Sequence, residues 1–358
     1  MDHHHDDKHT VVIIGYGGMG SYHAKLIKDN GRLQVIGTYD IDHARGKASE
    51  QDGYRAYESY EAVLNDAAAE IVLIATPNDV HKDLALHAFA AGKHVICEKP
   101  VTMSVEDFEA MTAAADQANK VVMVHQNRRW DEDYLIIKQM YEQKTIGDLF
   151  RIESRVHGAN GIPGDWRHLD AHGGGMLLDW GVHLLDQLIF MIDSKIISVS
   201  STLSFILGDE VDDGFEAMLQ FENGVSALVE VGTTNFITLP RWYVKGTEGT
   251  GVIEDWSMTG RIVTRNRDAE IVEPKPVQAG VGLTKTMAPP SEMATLTGAL
   301  PKPYAQRSSF YDNFAAVIEG ADEAIVRNDE VLRVLNLIEA IFRSGRTGET
   351  VKDFDLYK

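Results

Sequence analysis

The chain has 358 residues, 44% of them hydrophobic, enough to bury a large core in two or more domains. Its formal net charge of −20 repels phosphate backbones and anionic lipid, which excludes nucleic acid and membrane surfaces as partners. The single cysteine, Cys97, excludes an internal disulfide framework, and with no apolar run of membrane-spanning length it predicts a reducing, cytoplasmic setting.

In chain order, residues 1–9 are polar and His-rich and read as a tail outside the fold. Residues 11–14 form an apolar strand pattern, followed by a glycine turn and a helical stretch to about residue 30. The buried-strand pattern returns at 33–39, 69–75, 94–97 and 121–124, with helical segments at 43–51, 58–65 and 80–91. Strands alternating with helices predict a parallel sheet covered on both faces. Beyond about residue 148 the texture changes, and 196–207, 215–221, 225–231, 241–245 and 252–255 read as strands. Asn223-Gly224 is a hairpin signal, so this second sheet is expected to be mainly antiparallel. The Pro-, Gly- and Thr-rich stretch 268–305 reads as a long loop, and helices at about 306–320 and 328–344 follow.

Gly15-Tyr16-Gly17-Gly18-Met19-Gly20 matches G-x-G-x-x-G between a strand and a helix. There, glycines let backbone amides approach a pyrophosphate at the positive helix end. Asp40 ends the next strand twenty residues past Gly20. A carboxylate at that place accepts hydrogen bonds from ribose hydroxyls and repels a 2′-phosphate, so Asp40, with Ile41 beside it, predicts NAD rather than NADP. Arg45 is the nearby cation that weighs the other way. Glu98-Lys99-Pro100 follows a parallel strand, which turns Glu98 and Lys99 toward the same crevice. A lysine held partly out of water there can hydrogen-bond a substrate hydroxyl.

Downstream, Gly173-Gly174-Gly175 opens an apolar helix-like segment that sets Asp179 and His183 four residues apart, on one helical face. A carboxylate beside an imidazole favours the imidazolium and reads as a proton-transfer pair. Trp166-Arg167 is expected to line the substrate pocket, and His157 and Asn160, at the end of a strand, are candidate substrate contacts. Asn127-Arg128-Arg129 either contacts substrate and cofactor or is structural, with Arg129 pairing acids at a domain junction. His168-x-Asp170-x-His172 could be drawn with Asp179 and His183 as a metal site, but no ligand-rich cysteine set accompanies it.

These motifs, with Thr76-Pro77-Asn78 and His81, resemble the glucose–fructose oxidoreductase/inositol dehydrogenase (Gfo/Idh/MocA) family of nicotinamide-dependent enzymes from Gly15 to about residue 345. The resemblance implies an α/β chain. An N-terminal Rossmann domain over 9–128 would hold a doubly wound parallel sheet. A C-terminal α+β domain over 129–327 would carry a large, mainly antiparallel open sheet, and 328–358 would pack back toward the first domain. It implies a catalytic set of Lys99, Asp179 and His183, with His183 accepting the proton, Lys99 positioning the hydroxyl and Asp179 holding the imidazole. Thr76, Pro77, Asn78, His81, Glu98, Lys99 and Asn127 would lie along the cofactor, Asp186 would orient a helix, and no metal is used. The expected reaction passes hydride between a secondary alcohol of a sugar or inositol-like polyol and the nicotinamide, in a homodimer or homotetramer built through the open sheet. The alternatives within this resemblance are an NAD-dependent glycoside hydrolase and a non-catalytic nicotinamide-sensing regulator.

Overall fold

The computed structural model describes residues 8–270, 273–304 and 308–352; the His-rich start before residue 8 and the end of the expected 328–358 segment lie outside the described residues. The first domain runs β1 His9–Ile14, α1 Gly18–Lys28, β2 Leu33–Tyr39, α2 His43–Gln51, β3 Arg55–Ala56, α3 Tyr60–Asn65 and β4 Ile71–Ile74. It continues with α4 His81–Ala90, β5 His94–Cys97, α5 Val105–Gln117 and β6 Val122–Val124. The strands form one parallel sheet in the order β3-β2-β1-β4-β5-β6. Ile71 to Ile74 are all fully buried, as a strand covered on both faces must be. The order reverses between β1 and β4, and the crevice beyond the carboxyl ends of those strands is where such sheets bind ligands.

The second domain comprises α6 Glu132–Gln143, β7 Leu149–His157, α7 Val182–Met191, β8 Ile196–Ser204, β9 Gly214–Phe221 and β10 Ser226–Gly232. After these come β11 Trp242–Gly246, β12 Gly249–Ile253, β13 Gly260–Arg265, a small hairpin of β14 Val277–Ala279 and β15 Gly282–Thr284, and β16 Thr295–Gly298. Two helices, α8 Phe310–Ile318 and α9 Asn328–Thr347, and β17 Val351–Lys352 complete the described fold. Nine strands form an open sheet in the order β16-β13-β12-β11-β7-β10-β9-β8-β17. Every neighbouring pair is antiparallel except β7 with β10. Helices α6, α7 and α9 cover one face, where Ile137, Leu184 and Leu337 meet Ile152, Leu219 and Val229. Among the described residues no helix is long and apolar enough to cross a membrane.

Several sequence expectations are corrected. His9 is not tail: it begins β1, and its ring nitrogens lie 3.2 and 3.1 Å from carboxylate oxygens of Glu70 and Glu319. The 268–305 stretch is not all loop, because β16 pairs with β13 and extends the edge of the large sheet. Helix α8, expected inside the second domain, packs Phe310, Tyr311 and Phe314 into the core of the first sheet. Helix α9 serves both cores, with Val331 and Leu335 on one and Val334, Leu337, Ile338 and Ile341 on the other. Its amphipathic pattern signals a helix but not that two different partners share its apolar residues.

The junction is closed by charge. The Arg129 guanidinium donates to both carboxylate oxygens of Asp186 at 2.7 and 2.8 Å and to Glu330 Oε2 at 2.7 Å. Arg129 is fully buried, so the turn after β6, α7 and α9 meet around one desolvated cation.

Candidate active site

A cleft of about 890 Å³ lies at the switch point of the first sheet and reaches the second domain. Its floor is the glycine turn. Gly15 has φ +91°, and a Cβ there would sit 2.6 Å from the Ala75 carbonyl oxygen. At Gly20 a Cβ would come within 1.9 Å of the Gly15 carbonyl oxygen, so that glycine serves the helix–strand packing and does not face the cleft. Gly18 has open space where a Cβ would stand, and α1 begins without a side-chain cap or an acid in its first turn. The amides at that helix start are therefore unclaimed, a ready anion cradle that fits a dinucleotide pyrophosphate.

Asp40 lines the cleft, but its carboxylate is already engaged: Oδ2 accepts from the Tyr16 N–H at 2.7 Å and Oδ1 from the Asp42 N–H at 2.8 Å. It ties the glycine turn to the entry of α2. Arg45 reaches to 3.5 Å from Asp40 Oδ2 and shares the cleft wall, with Ile41 87% exposed at the rim. Met19, Gly17, Thr76, Pro77, Asn78 and Asn127 line the same cleft. Asn78 also donates to the Gly173 carbonyl at 2.9 Å, which links the two domains across it.

Two expected cofactor contacts lie elsewhere. The Tyr16 side chain is buried, and its hydroxyl donates to Asp52 at 2.8 Å, behind the turn. His81 is wholly buried, with its nitrogens 2.9 Å from the Thr76 carbonyl and 3.1 Å from the Pro100 carbonyl, so it braces both loops from below. Spacing placed these residues in the right loops; the direction of each side chain depends on packing.

Lys99 follows β5, and its peptide bond to Pro100 is cis. Its ammonium donates to the Asp179 carbonyl at 2.7 Å and to Asp179 Oδ1 at 3.3 Å. Arg167 Nε lies 3.3 Å from that same Oδ1, while its Nη1 pairs with Asp165 at 2.7 Å. Burial alone would raise Asp179, but Lys99 and Arg167 outweigh it and hold the carboxyl below its ordinary range.

The expected Asp179–His183 pair is not formed. Residues Leu177–Gly181 adopt a π-turn ahead of α7, not α-helix, and Asp179 turns to the two cations. His183 lines the cleft, and its Nδ1 is buried without a hydrogen-bond partner. Burial, and then the charges of Lys99 and Arg128, lower its pKa well below the usual histidine value, so the imidazole is neutral. A π-turn inserted into a helix is a frequent mark of functional sites. Here Gly181 lets the turn pack closely on β9, since a Cβ would stand 2.8 Å from the Phe215 ring.

Beneath Lys99, Glu98 Oε1 lies 2.7 Å from both His23 Nε2 and His125 Nδ1, and His23 Nδ1 lies 2.7 Å from the Tyr311 hydroxyl. Burial opposes the Glu98 charge, but the two imidazoles overcome it and keep the carboxyl well below its ordinary range. Separations of 2.7 Å are those of shared protons; ligands held about 2.0 Å from a tetrahedral ion stand about 3.3 Å apart. Nothing in the sequence joins His23 to His125, which lie on separate elements. The His168–His172 run is drawn apart, with His168 Nδ1 2.8 Å from Asp209 and His172 Nδ1 3.0 Å from Asp79.

His157 departs from expectation. Its side chain is 1% exposed, with Nε2 2.9 Å from Glu230 Oε1 and Nδ1 accepting from the Leu239 N–H, and it is not among the walls of the Lys99 cleft; with Asn160 it borders a smaller chamber next to that cleft. Trp166 and Arg167 do line the cleft. Sequence reasoning missed Trp180, Trp256 and Asp212. Asp212 Oδ2 accepts from the Leu177 N–H at 2.8 Å, anchoring the start of the π-turn.

Burial pushes Asp212 up to about 7, against 3.8 for a free aspartate. The folded chain thus keeps a proton that the unfolded chain has already lost between those values. Its contribution to stability therefore falls as pH climbs from about 4 to about 7 and levels off above. Asp212→Asn should flatten that fall in a series of thermal midpoints across pH 4 to 8; an unchanged pH profile would refute the assignment.

Comparison with known proteins places this arrangement. Residues 9–126 match the oxidoreductase family with an NAD-binding Rossmann fold, and residues 134–252 match the GFO/IDH/MocA C-terminal domain. A crystal structure of an NAD-binding protein from Listeria innocua superposes with a TM-score of 0.95 and is 62% identical, covering 97% of this chain and 99% of that one. A scyllo-inositol 2-dehydrogenase (NADP(+)) from Bacillus subtilis is 25% identical, over 96% of each chain. The inositol 2-dehydrogenase of Rhizobium meliloti is 24% identical, over 93% of this chain and 95% of its own.

Proposed function

This chain belongs to the GFO/IDH/MocA family of oxidoreductases, and we propose that it oxidises a secondary alcohol of a sugar or cyclic polyol, inositol-like in size, with NAD as hydride acceptor. The observation that supports this reading is the meeting of Lys99, from the first domain, with Asp179 and His183, from the second, in the cleft floored by the glycine turn. The bound nicotinamide supplies the hydride chemistry; the protein supplies position and proton transfer.

Lys99 holds the substrate hydroxyl by a hydrogen bond from its ammonium, which also favours the alkoxide as the proton leaves. His183, kept neutral, takes that proton. Asp179 does not hold the imidazole: it anchors Lys99 and Arg167, keeping the ammonium aimed while offsetting two cations in a partly desolvated space.

The test is a screen of purified protein with NAD and NADP against inositols, aldoses, sugar acids and deoxysugars. Steady reduction of the cofactor by a free polyol or sugar is expected. Cofactor binding with no turnover across the panel would favour a sensing role instead, and release of an aglycone without net reduction would favour glycoside hydrolysis.

The preference for NAD rests on Asp40, whose charge is held in place by two backbone amides and cannot swing from a 2′-phosphate. Asp40→Asn should raise the NADP-to-NAD ratio of kcat/KM about tenfold, the equivalent of relieving about 1.4 kcal/mol of repulsion. An unchanged ratio would mean that Arg45 already neutralises the site. We also propose a homodimer or homotetramer built on the helix-free face of the large sheet, where Arg151, Glu153, Arg155 and Glu230 form a ladder of ion pairs. Light scattering of the purified chain tests it; a monomer excludes it.

A further inference from the structure

His172 and Gly173 take no part in proton transfer at Lys99 and His183, yet they carry the second domain across to the first. Residues 165–175 hold nothing more regular than two 3₁₀ turns, Trp166–His168 and Asp170–His172. The segment is tied to its own domain at its base. The Gly174 N–H donates to the Leu169 carbonyl at 3.0 Å, the Gly175 N–H to the Arg167 carbonyl at 3.0 Å, and His168 Nδ1 lies 2.8 Å from Asp209. Its tip reaches the other domain. The Gly173 carbonyl accepts from Asn78 at 2.9 Å, and His172 Nδ1 lies 3.0 Å from Asp79 Oδ2. A Cβ at Gly173 would stand 3.2 Å from Met103 Cγ, so the Met103 side chain packs on the tip as well. Trp166, Arg167 and His172 line the cleft opposite Asn78 and Asp79 in the first domain, which makes the segment one of its walls.

The domains are bridged beyond three neighbouring strands of the first sheet. Past β6, Arg129 is fully buried between Asp186 and Glu330; past β5, Lys99 reaches Asp179; past β4, Asn78 and Asp79 hold the tip. These bridges differ in what it takes to part them. A desolvated guanidinium between two carboxylates cannot separate without stranding charge. The β4 bridge is one hydrogen bond, one imidazole–carboxylate contact with side chains 40% and 28% exposed, and a methionine that is 41% exposed, all groups that water can take over. It is also the bridge beside the switch point, where a dinucleotide lies, and of the three it is farthest from Arg129 in the strand order.

We propose that residues 165–175 form a strap that gates the dinucleotide: the tip at His172 and Gly173 lifts from Asn78, Asp79 and Met103 to admit and release it, while the Arg129 junction stays closed. This rests on the cofactor half of the reading above and not on the substrate. The tip contacts join protein to protein, so they favour the closed form alike with and without cofactor. Loosening them speeds entry and exit by the same factor and leaves their ratio, the dissociation constant, where it was. Losing a direct contact to the cofactor acts differently, because it raises the exit rate and the dissociation constant together.

The test follows NADH association and dissociation by stopped-flow fluorescence on the full chain, with the dissociation constant taken from equilibrium titration. Met103→Ala is the cleaner variant, since Met103 is exposed and is not among the cleft walls; His172→Gln is the second. Each should raise both rate constants about threefold, and the two together more, with the dissociation constant unchanged within about twofold. Unchanged rates in both variants, or a faster dissociation matched by an equal rise in the dissociation constant, would overturn the strap. Both rates raised in a protein that turns over no sugar or polyol would uphold the strap and overturn the hydride-transfer reading. Turnover of a sugar or polyol with neither rate shifted would overturn the strap alone.

Discussion

His183→Ala lowers kcat by about 10²- to 10⁴-fold, the usual worth of a positioned general base, while the dissociation constant for NAD changes little. The asymmetry is expected because the glycine turn, Asp40 and Asn78 belong to the first domain, whereas the imidazole faces the cleft from the second. The pH profile carries an independent signature. The working form of His183 is neutral, and burial with the nearby Lys99 and Arg128 charges lowers its pKa well below 6.5. Turnover should therefore stay level as pH falls through the ordinary histidine range and decline only below it. An acid limb near 6.5 would place the titrating group elsewhere. A rise in the NAD dissociation constant as large as the fall in kcat would assign His183 to cofactor binding.

The largest effect on stability is expected at Arg129. Arg129→Met leaves Asp186 and Glu330, which both face the guanidinium, without their shared cation in a space from which water is excluded. Removing one side of a buried ion pair costs about 3–5 kcal/mol, mostly the penalty of the stranded charge. Burial already raises Asp186, and Arg129 is what opposes that rise. The loss should show as a lower midpoint in urea unfolding. Because the network joins the turn after β6 to α7 and α9, the two domains are expected to uncouple before either melts alone. A change below about 1 kcal/mol would show that the carboxylates find other partners. The triple variant Arg129→Met, Asp186→Leu, Glu330→Leu should recover much of the loss, since no charge is then stranded.

Much of this architecture is legible along the chain. Apolar runs such as Ile71–Ile74 can only be strands buried on both faces, and G-x-G-x-x-G between a strand and a helix specifies a close backbone approach. Gly224, at φ +89°, turns β9 into β10, as a glycine at the left-handed position of a hairpin loop does. Lys99 is readable for a similar reason, as a polar group at the carboxyl end of a parallel strand.

Less legible are elements whose partners lie far along the chain. The residues of β16 form a strand only because β13 offers them an edge, and α8 reads as any amphipathic helix until Phe310 and Phe314 find the first core.

The sequence by itself determined which residues could do chemistry here: a glycine turn, an acid after β2, a lysine after β5 and a histidine in α7. Local rules suffice for these, since each depends on neighbours a few positions away. The tertiary structure alone decided how they are paired. Helical spacing put Asp179 beside His183, but a π-turn and two cations from distant segments drew the carboxylate away, because an ion pair in a partly desolvated cleft outweighs a neutral imidazole four residues on. It also decided that Glu98 is held between His23 and His125, and that Trp180 and Trp256 face one chamber. Charges and rings act through distances of a few ångströms, and those are set by how the sheets and helices pack, not by how far apart the residues are written.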